Sequence, residues 1–89
     1  MYTSKIYYNN LRKQVWEKEF GDALHGKCPL PNCNIILFKQ HDPAFQCGHI
    51  IPQCKGGEKK LENLRPICAT CNARMGYYTW DEYENYVKI

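Results

Sequence analysis

Cysteine and histidine give this 89-residue chain its widest chemical reach, with six of the first and three of the second. Four thiols fall into two pairs: Cys28 and Cys33 end the proline-rich turn Cys-Pro-Leu-Pro-Asn-Cys, and Cys68 and Cys71 bracket Cys-Ala-Thr-Cys. Two turns that each offer two thiolates supply the tetrahedral sulfur set of a structural zinc site. The first pair is spaced more widely than the commoner Cys-x-x-Cys, so Cys47 or Cys54 stays open as a replacement ligand. Disulfides, or thiols buried as small hydrophobes, are the other uses of such residues. Between the pairs lies Cys47-Gly-His-Ile-Ile-Pro-Gln-Cys-Lys-Gly-Gly57, a strand-like run that carries His49 and closes on a proline. An imidazole can accept a proton near neutral pH. Alone on an apolar strand, it is more often a satisfied core side chain.

These groups need a scaffold, and the chain is short. A core of this size buries a modest share of the unfolded surface, so a metal that contributes folding free energy suits it. A single domain over residues 1–89 is expected, with no repeat, linker or low-complexity tract. Met1–Asn10 lacks the apolar stretch of a secretory signal, and no run has membrane-spanning length. The expectation is an intracellular protein with reduced thiols and no membrane partner. The net charge of +3 is compatible with a polyanion without requiring one. The predicted order is helix, thiol turn, strands, loop, helix, helix, a small α+β domain. A first helix spans Leu11 to about Phe20, capped by Asn9 or Asn10 and punctuated at its end by Gly21 and Gly26, with Leu11, Val15, Trp16 and Phe20 on one side. Strands are expected at Ile35–Phe38 and Phe45–Ile51, joined through Gln40-His-Asp-Pro43, with a short extended piece at Leu64–Ile67. A helix begins near Cys68 or Ala69 and stops at Gly76. Thr79-Trp-Asp-Glu82 is a capping box for a last helix whose Tyr83, Tyr86 and Val87 fold back on the body. The C-terminal tyrosines and Trp80 read as packing residues rather than stacking platforms. Lys55, Lys59, Lys60 and Arg65 gather around the glycine-rich loop. Singly each is a solvated charge, and together they form a face able to follow a nucleic-acid backbone.

The stretch Phe45–Gly76 resembles the HNH endonuclease family, also called the ββα-metal or His-metal finger. The ordered set is His49-Ile-Ile-Pro52, Gly56-Gly57, Asn63-Leu64, Cys68-Ala-Thr-Cys-Asn72 and Arg74-Met-Gly76. Fourteen positions lead from His49 to Asn63 and nine more to Asn72, both typical of the family. The Cys-Gly-His-Ile start and Cys-Asn-x-x-Met-Gly end look like HNH-type proteins of large eukaryotic DNA viruses. The resemblance implies a ββα finger, a four-cysteine zinc site and flanking helices. It also implies hydrolysis of DNA phosphodiester bonds, with His49 as general base and Asn72 as a ligand for a catalytic Mg²⁺ or Mn²⁺. Asn63 would fasten the loop to the His49 strand, and Arg74 could meet a phosphate oxygen. On its own, Asn72 reads as well as a helix-start residue bonded to backbone amides.

One position departs from the pattern. Many members place an Asp or His metal ligand directly before the base, where this chain has Gly48. That leaves Asn72, water and phosphate, unless His41 or Asp42 swings in. It keeps open a reading as a zinc-stabilised DNA-binding module without efficient turnover, and a third as a structural zinc domain. A chain this small reads few bases alone, so a homodimer or a fused reader is compatible with it.

Overall fold

Tyr2–Asn10 contains neither glycine nor proline, and nothing in it stops a helix. In the computed structural model, which describes residues 2–40 and 44–88 and side chains from residue 10 of the first helix onward, α1 runs Tyr2–Phe20. The expected start at Leu11 is therefore too late. Asn9 and Asn10 lie inside α1 rather than capping it, at a cost of a few tenths of a kcal/mol each in propensity. The predicted inner face is the observed one. Leu11 and Val15 pack on Leu64, and Trp16 enters the main core with Phe20 beside it.

The chain then makes two small antiparallel pairs. β1 (His25–Lys27) lies against β2 (Ile36–Phe38), with Gly26 opposite Leu37. β3 (Gln46–His49) lies against β4 (Leu64–Ile67), with Gly48 opposite Arg65 and His49 opposite Leu64. β1 is absent from the sequence expectation because Gly26 reads there as punctuation. Its real role is close approach: a Cβ at that position would sit 2.7 Å from the Phe20 ring. The two predicted strands are not each other's partners. Each pairs elsewhere, and a bridge joins Phe38 to Ala44, the residue before the second predicted strand. His41 and Asp42 lie outside the described residues.

α2 (Ala69–Met75) follows β4 directly, and α3 (Trp80–Val87) closes the fold. The β3–β4–α2 succession is the expected ββα unit, with helices on either side of it in sequence. Thr79 caps α3 as predicted, its side chain accepting from Glu82 N while the Glu82 carboxylate accepts from Thr79 N. Trp80 N–H donates to Ile50 O at 2.8 Å, which pins the start of α3 to the chain leaving β3. One core cluster gathers Trp16, Leu30, Leu37, Phe45, Ile67 and Trp80 around three buried thiols. α1 grips this body through polar ends as well. Arg12 donates to Phe45 O and lies over its ring, and Lys18 donates to the carbonyls of Leu61 and Leu64. Among the described residues, no helix is long and apolar enough to cross a membrane.

Candidate functional site

The thiol cluster is assembled by two local structures. Between β1 and β2, Cys28 N donates to Ile35 O and Cys33 N donates to Leu30 O, folding the loop into a tight knuckle. Asn32 makes that turn with φ 63°, a conformation asparagine tolerates better than most residues. Its side chain donates to Val87 O and ties the knuckle to α3. Cys68 caps α2 and accepts from Cys71 N through its sulfur. The sulfurs of Cys28, Cys33, Cys68 and Cys71 all lie within 4.8 Å of one another. A tetrahedron of Zn–S bonds near 2.3 Å has an edge of about 3.8 Å, and Cys33 and Cys68 stand 3.8 Å apart. All six cysteines are free thiols in this structure. Burial pushes the Cys28 and Cys71 thiols up, the state a bound dication reverses by favouring thiolate. Four soft donors in this geometry suit zinc. Cys47 and Cys54 are outside the cluster: Cys47 packs against the core and Cys54 is exposed on the loop.

On the other side of α2, His49 and Asn72 line one cleft of about 490 Å³, together with Pro52, Gln53 and Gly76. His49 is the last residue of β3 and half-buried. The two residues after it in the chain fix its direction. Ile50 N donates to Asn63 O, while the Asn63 side chain accepts from Ile51 N at 2.9 Å and donates to Ile51 O at 3.0 Å and Glu58 O at 2.9 Å. One carboxamide thus satisfies both backbone groups of Ile51 and ties the loop to them. Gly57 is what lets the loop come this close, since a Cβ there would lie 1.7 Å from Ile51 O.

Asn72 sits on the first turns of α2 and bonds its own helix, N to Cys68 O. Its side chain turns away from the backbone: Nδ2 donates to Gln46 Oε1 at 2.7 Å. Gln46 and Gly48 share a face of β3 by the period of two, and that face looks at α2. A Cβ at Gly48 would stand 3.4 Å from Asn72 Oδ1 and 2.9 Å from Ile67 Cγ2. Position 48 therefore faces the Asn72 carboxamide, and as glycine it offers no side chain there. Gln46 falls outside the residues that motif spacing picks out, although alternation along β3 is a signal that could find it.

The expected basic face divides. Lys55 pairs with Glu82 at 2.8 Å and Lys60 with Glu58 at 2.7 Å, both pairs exposed. The Lys55 ammonium, followed by the Thr79 amide, holds the Glu82 carboxyl down to about 2. Lys59 lies beside His49 and Cys47 in a second hollow of about 550 Å³. Arg74 is exposed on α2. Arg65 is placed differently from the loop lysines that surround it in sequence. Its guanidinium donates twice to Glu19, at 2.9 and 2.8 Å, and lies 4.6 Å over the Trp80 ring. That hydrogen bonding to Arg65 lowers the Glu19 carboxyl below its usual range. Arg65 thus joins α1, β4 and α3 in the fold.

No curated protein and no solved structure matches this chain. A family model described as HNH endonuclease matches residues 33–86, which takes in the ββα unit, His49, Asn63, Asn72 and three of the four clustered cysteines. The match is to the family as a whole and singles out no viral branch. With more than half its length matched and the ββα unit in place, the chain belongs to the HNH endonuclease family.

Proposed function

We propose that this protein is a metal-dependent DNA endonuclease that uses His49 as general base. The observation that carries the reading is the cleft His49 shares with Asn72. Hydrolysing a phosphodiester calls for a base to take a proton from water, charge stabilisation at phosphate, and help for the leaving oxygen. His49 accepts the water proton, and Asn63 acts as its positioning residue by locking Ile50 and Ile51 behind the ring. Asn72 offers Oδ1 to a hard divalent ion, because Gln46 already takes its amide hydrogen. Mg²⁺ or Mn²⁺ bound there would supply Lewis-acid stabilisation of the phosphate and the leaving oxygen. With Gly48 contributing nothing, the donor set fits a hydrated ion held largely by substrate rather than a preassembled cage. Lys55, Lys59, Lys60 and Arg74 are the cations disposed to meet DNA phosphates. The thiol cluster, with zinc bound, holds α2 and therefore Asn72 in position.

The missing ligand at Gly48 favours a second reading, a zinc-stabilised DNA-binding module of the same fold with weak or no turnover. A plasmid-nicking assay separates the two. With Mg²⁺ or Mn²⁺ the intact protein nicks supercoiled DNA, and His49→Ala does not, while keeping its fold and zinc. A plasmid left intact by both proteins but shifted in mobility by both moves the assignment to the binding module.

A further inference from the structure

The C-terminal tyrosines divide. Tyr83 is buried as expected, but Tyr77 is 78 % exposed and Tyr86 65 %. Tyr86 still stacks on Tyr78 and Tyr83, with centroids 6.2 and 6.3 Å away. Tyr77 packs in no such ring pair among the described residues. A lone exposed aromatic is unremarkable in itself. The place of this one is what matters. Met75, Gly76 and Tyr77 form the rim shared by the His49–Asn72 cleft and a neighbouring hollow of about 440 Å³ lined by Lys55, Arg74 and Tyr78. An anionic strand with one phosphate beside His49 and the next toward these two cations would cross the rim at Tyr77. Arg74 has no ion pair among the described residues, and Lys55 is held only by an exposed pair with Glu82, which contributes little and can yield to phosphate.

Resting on the nuclease reading of that cleft, we propose that Tyr77 is a stacking platform for an unpaired base of the DNA strand being cut, so that the preferred substrate is single-stranded or locally unpaired at the scissile phosphate. Inside a duplex both faces of every base are covered by its neighbours. A tyrosine face can be used only by a base that has left the stack. The pairing of an aromatic face with flanking Arg and Lys is the usual chemistry of single-strand binding, and it tolerates any sequence.

Binding tests this without relying on cleavage. In the 89-residue chain carrying His49→Ala, anisotropy of a fluorescein-labelled mixed-sequence 20-mer is compared with that of its duplex at fixed low salt. The single strand binds more tightly than the duplex. Adding Tyr77→Ala weakens single-strand binding about 5- to 150-fold and leaves the duplex within twofold, whereas Tyr77→Phe, which keeps the ring, stays within twofold on both. Circular dichroism and zinc content, unchanged because the residue is exposed, show that the variants are folded. A single-strand loss below threefold, an equal loss on the duplex, or no measurable single-strand binding overturns the proposal. Failure of the nuclease reading would appear separately, as an unmodified protein that binds the strand yet never cuts it.

Discussion

Asn72 gives its amide nitrogen to Gln46 Oε1 at 2.7 Å, and this contact turns its carbonyl oxygen toward Gly48. The relationship joins the start of β3 to the start of α2, and it assigns a job to a residue outside the family's recognised pattern. A carboxamide free to rotate would present oxygen or nitrogen to the cleft, and only oxygen binds a hard cation. On the proposed mechanism Asn72 would be one side-chain ligand in place of two, and its orientation would then carry more of the affinity.

Gln46→Leu removes the acceptor and leaves the backbone of β3 untouched. The expected outcome is a roughly 10-fold rise in the Mg²⁺ concentration needed for half-maximal nicking, with unchanged zinc content and thermal stability. Nicking rates measured across a Mg²⁺ series decide it. An unaltered midpoint would mean that Gln46 does not orient the ligand.

Gly48 sits where a side chain has no room. A Cβ would meet Ile67 Cγ2 at 2.9 Å, and Ile67 is fully buried. Gly48→Ala should therefore cost about 1–3 kcal/mol through overpacking. In a double-mutant cycle with Ile67→Ala, the two losses should sum to more than the loss in the double variant, because each relieves the other. Strict additivity in urea denaturation would show that the close contact is not the cause. The same cycle indicates how an acidic residue could be introduced at position 48: the space must first be made at Ile67.

Removing zinc should unfold the chain. Its core holds three of the four clustered thiols, and chelation would leave those groups packed together without the ion that favours their ionised form. Loss of the helical circular dichroism signal after verified metal removal, and its return when zinc is added back, is the expected result. Serine at Cys28, Cys33, Cys68 or Cys71 should abolish the one-to-one zinc stoichiometry, whereas serine at Cys54 should leave it intact. A spectrum unchanged by complete demetallation would reduce the cluster to simple packing.

The site is legible in the sequence to the extent that its residues act through type and spacing. His49, Asn63 and Asn72 announce themselves by their intervals, and the paired thiols by their turns. Thr79 and Glu82 show their capping box in the same way. What escapes depends on contacts between distant segments. Gly26 reads as a helix stop until the Phe20 ring is found beneath it. Arg65 reads as one of several loop cations until Glu19, brought over by α1, accepts two of its N–H groups. Tyr77 and Tyr83 look alike in a tyrosine-rich tail, and only the packing of α3 buries one and exposes the other. The length of α1 escapes for a different reason: asparagines favour caps, and that preference masks the absence of any breaker before them.

The Glu19–Arg65 pair makes the last prediction, and its sign is fixed by the direction of the carboxyl's shift. Hydrogen bonding to Arg65 lowers Glu19 from 4.5 in the folded protein, so the unfolded chain protonates first as pH falls. Stability from the pair is then complete above the unfolded value and is lost only as pH drops toward the lowered folded one. Glu19→Gln should cost about 1–2 kcal/mol near neutrality, a charged hydrogen bond discounted for the solvent screening of a partly exposed pair. The difference between the two proteins should stay flat from pH 8 to about 5.5, where folded and unfolded carboxyls are both ionised. Chemical denaturation of both at saturating zinc across that interval measures it. A difference that already shrinks between pH 7 and 6 would trace the stabilisation to some other titrating group and remove Glu19 from the contact that joins α1 to the ββα unit.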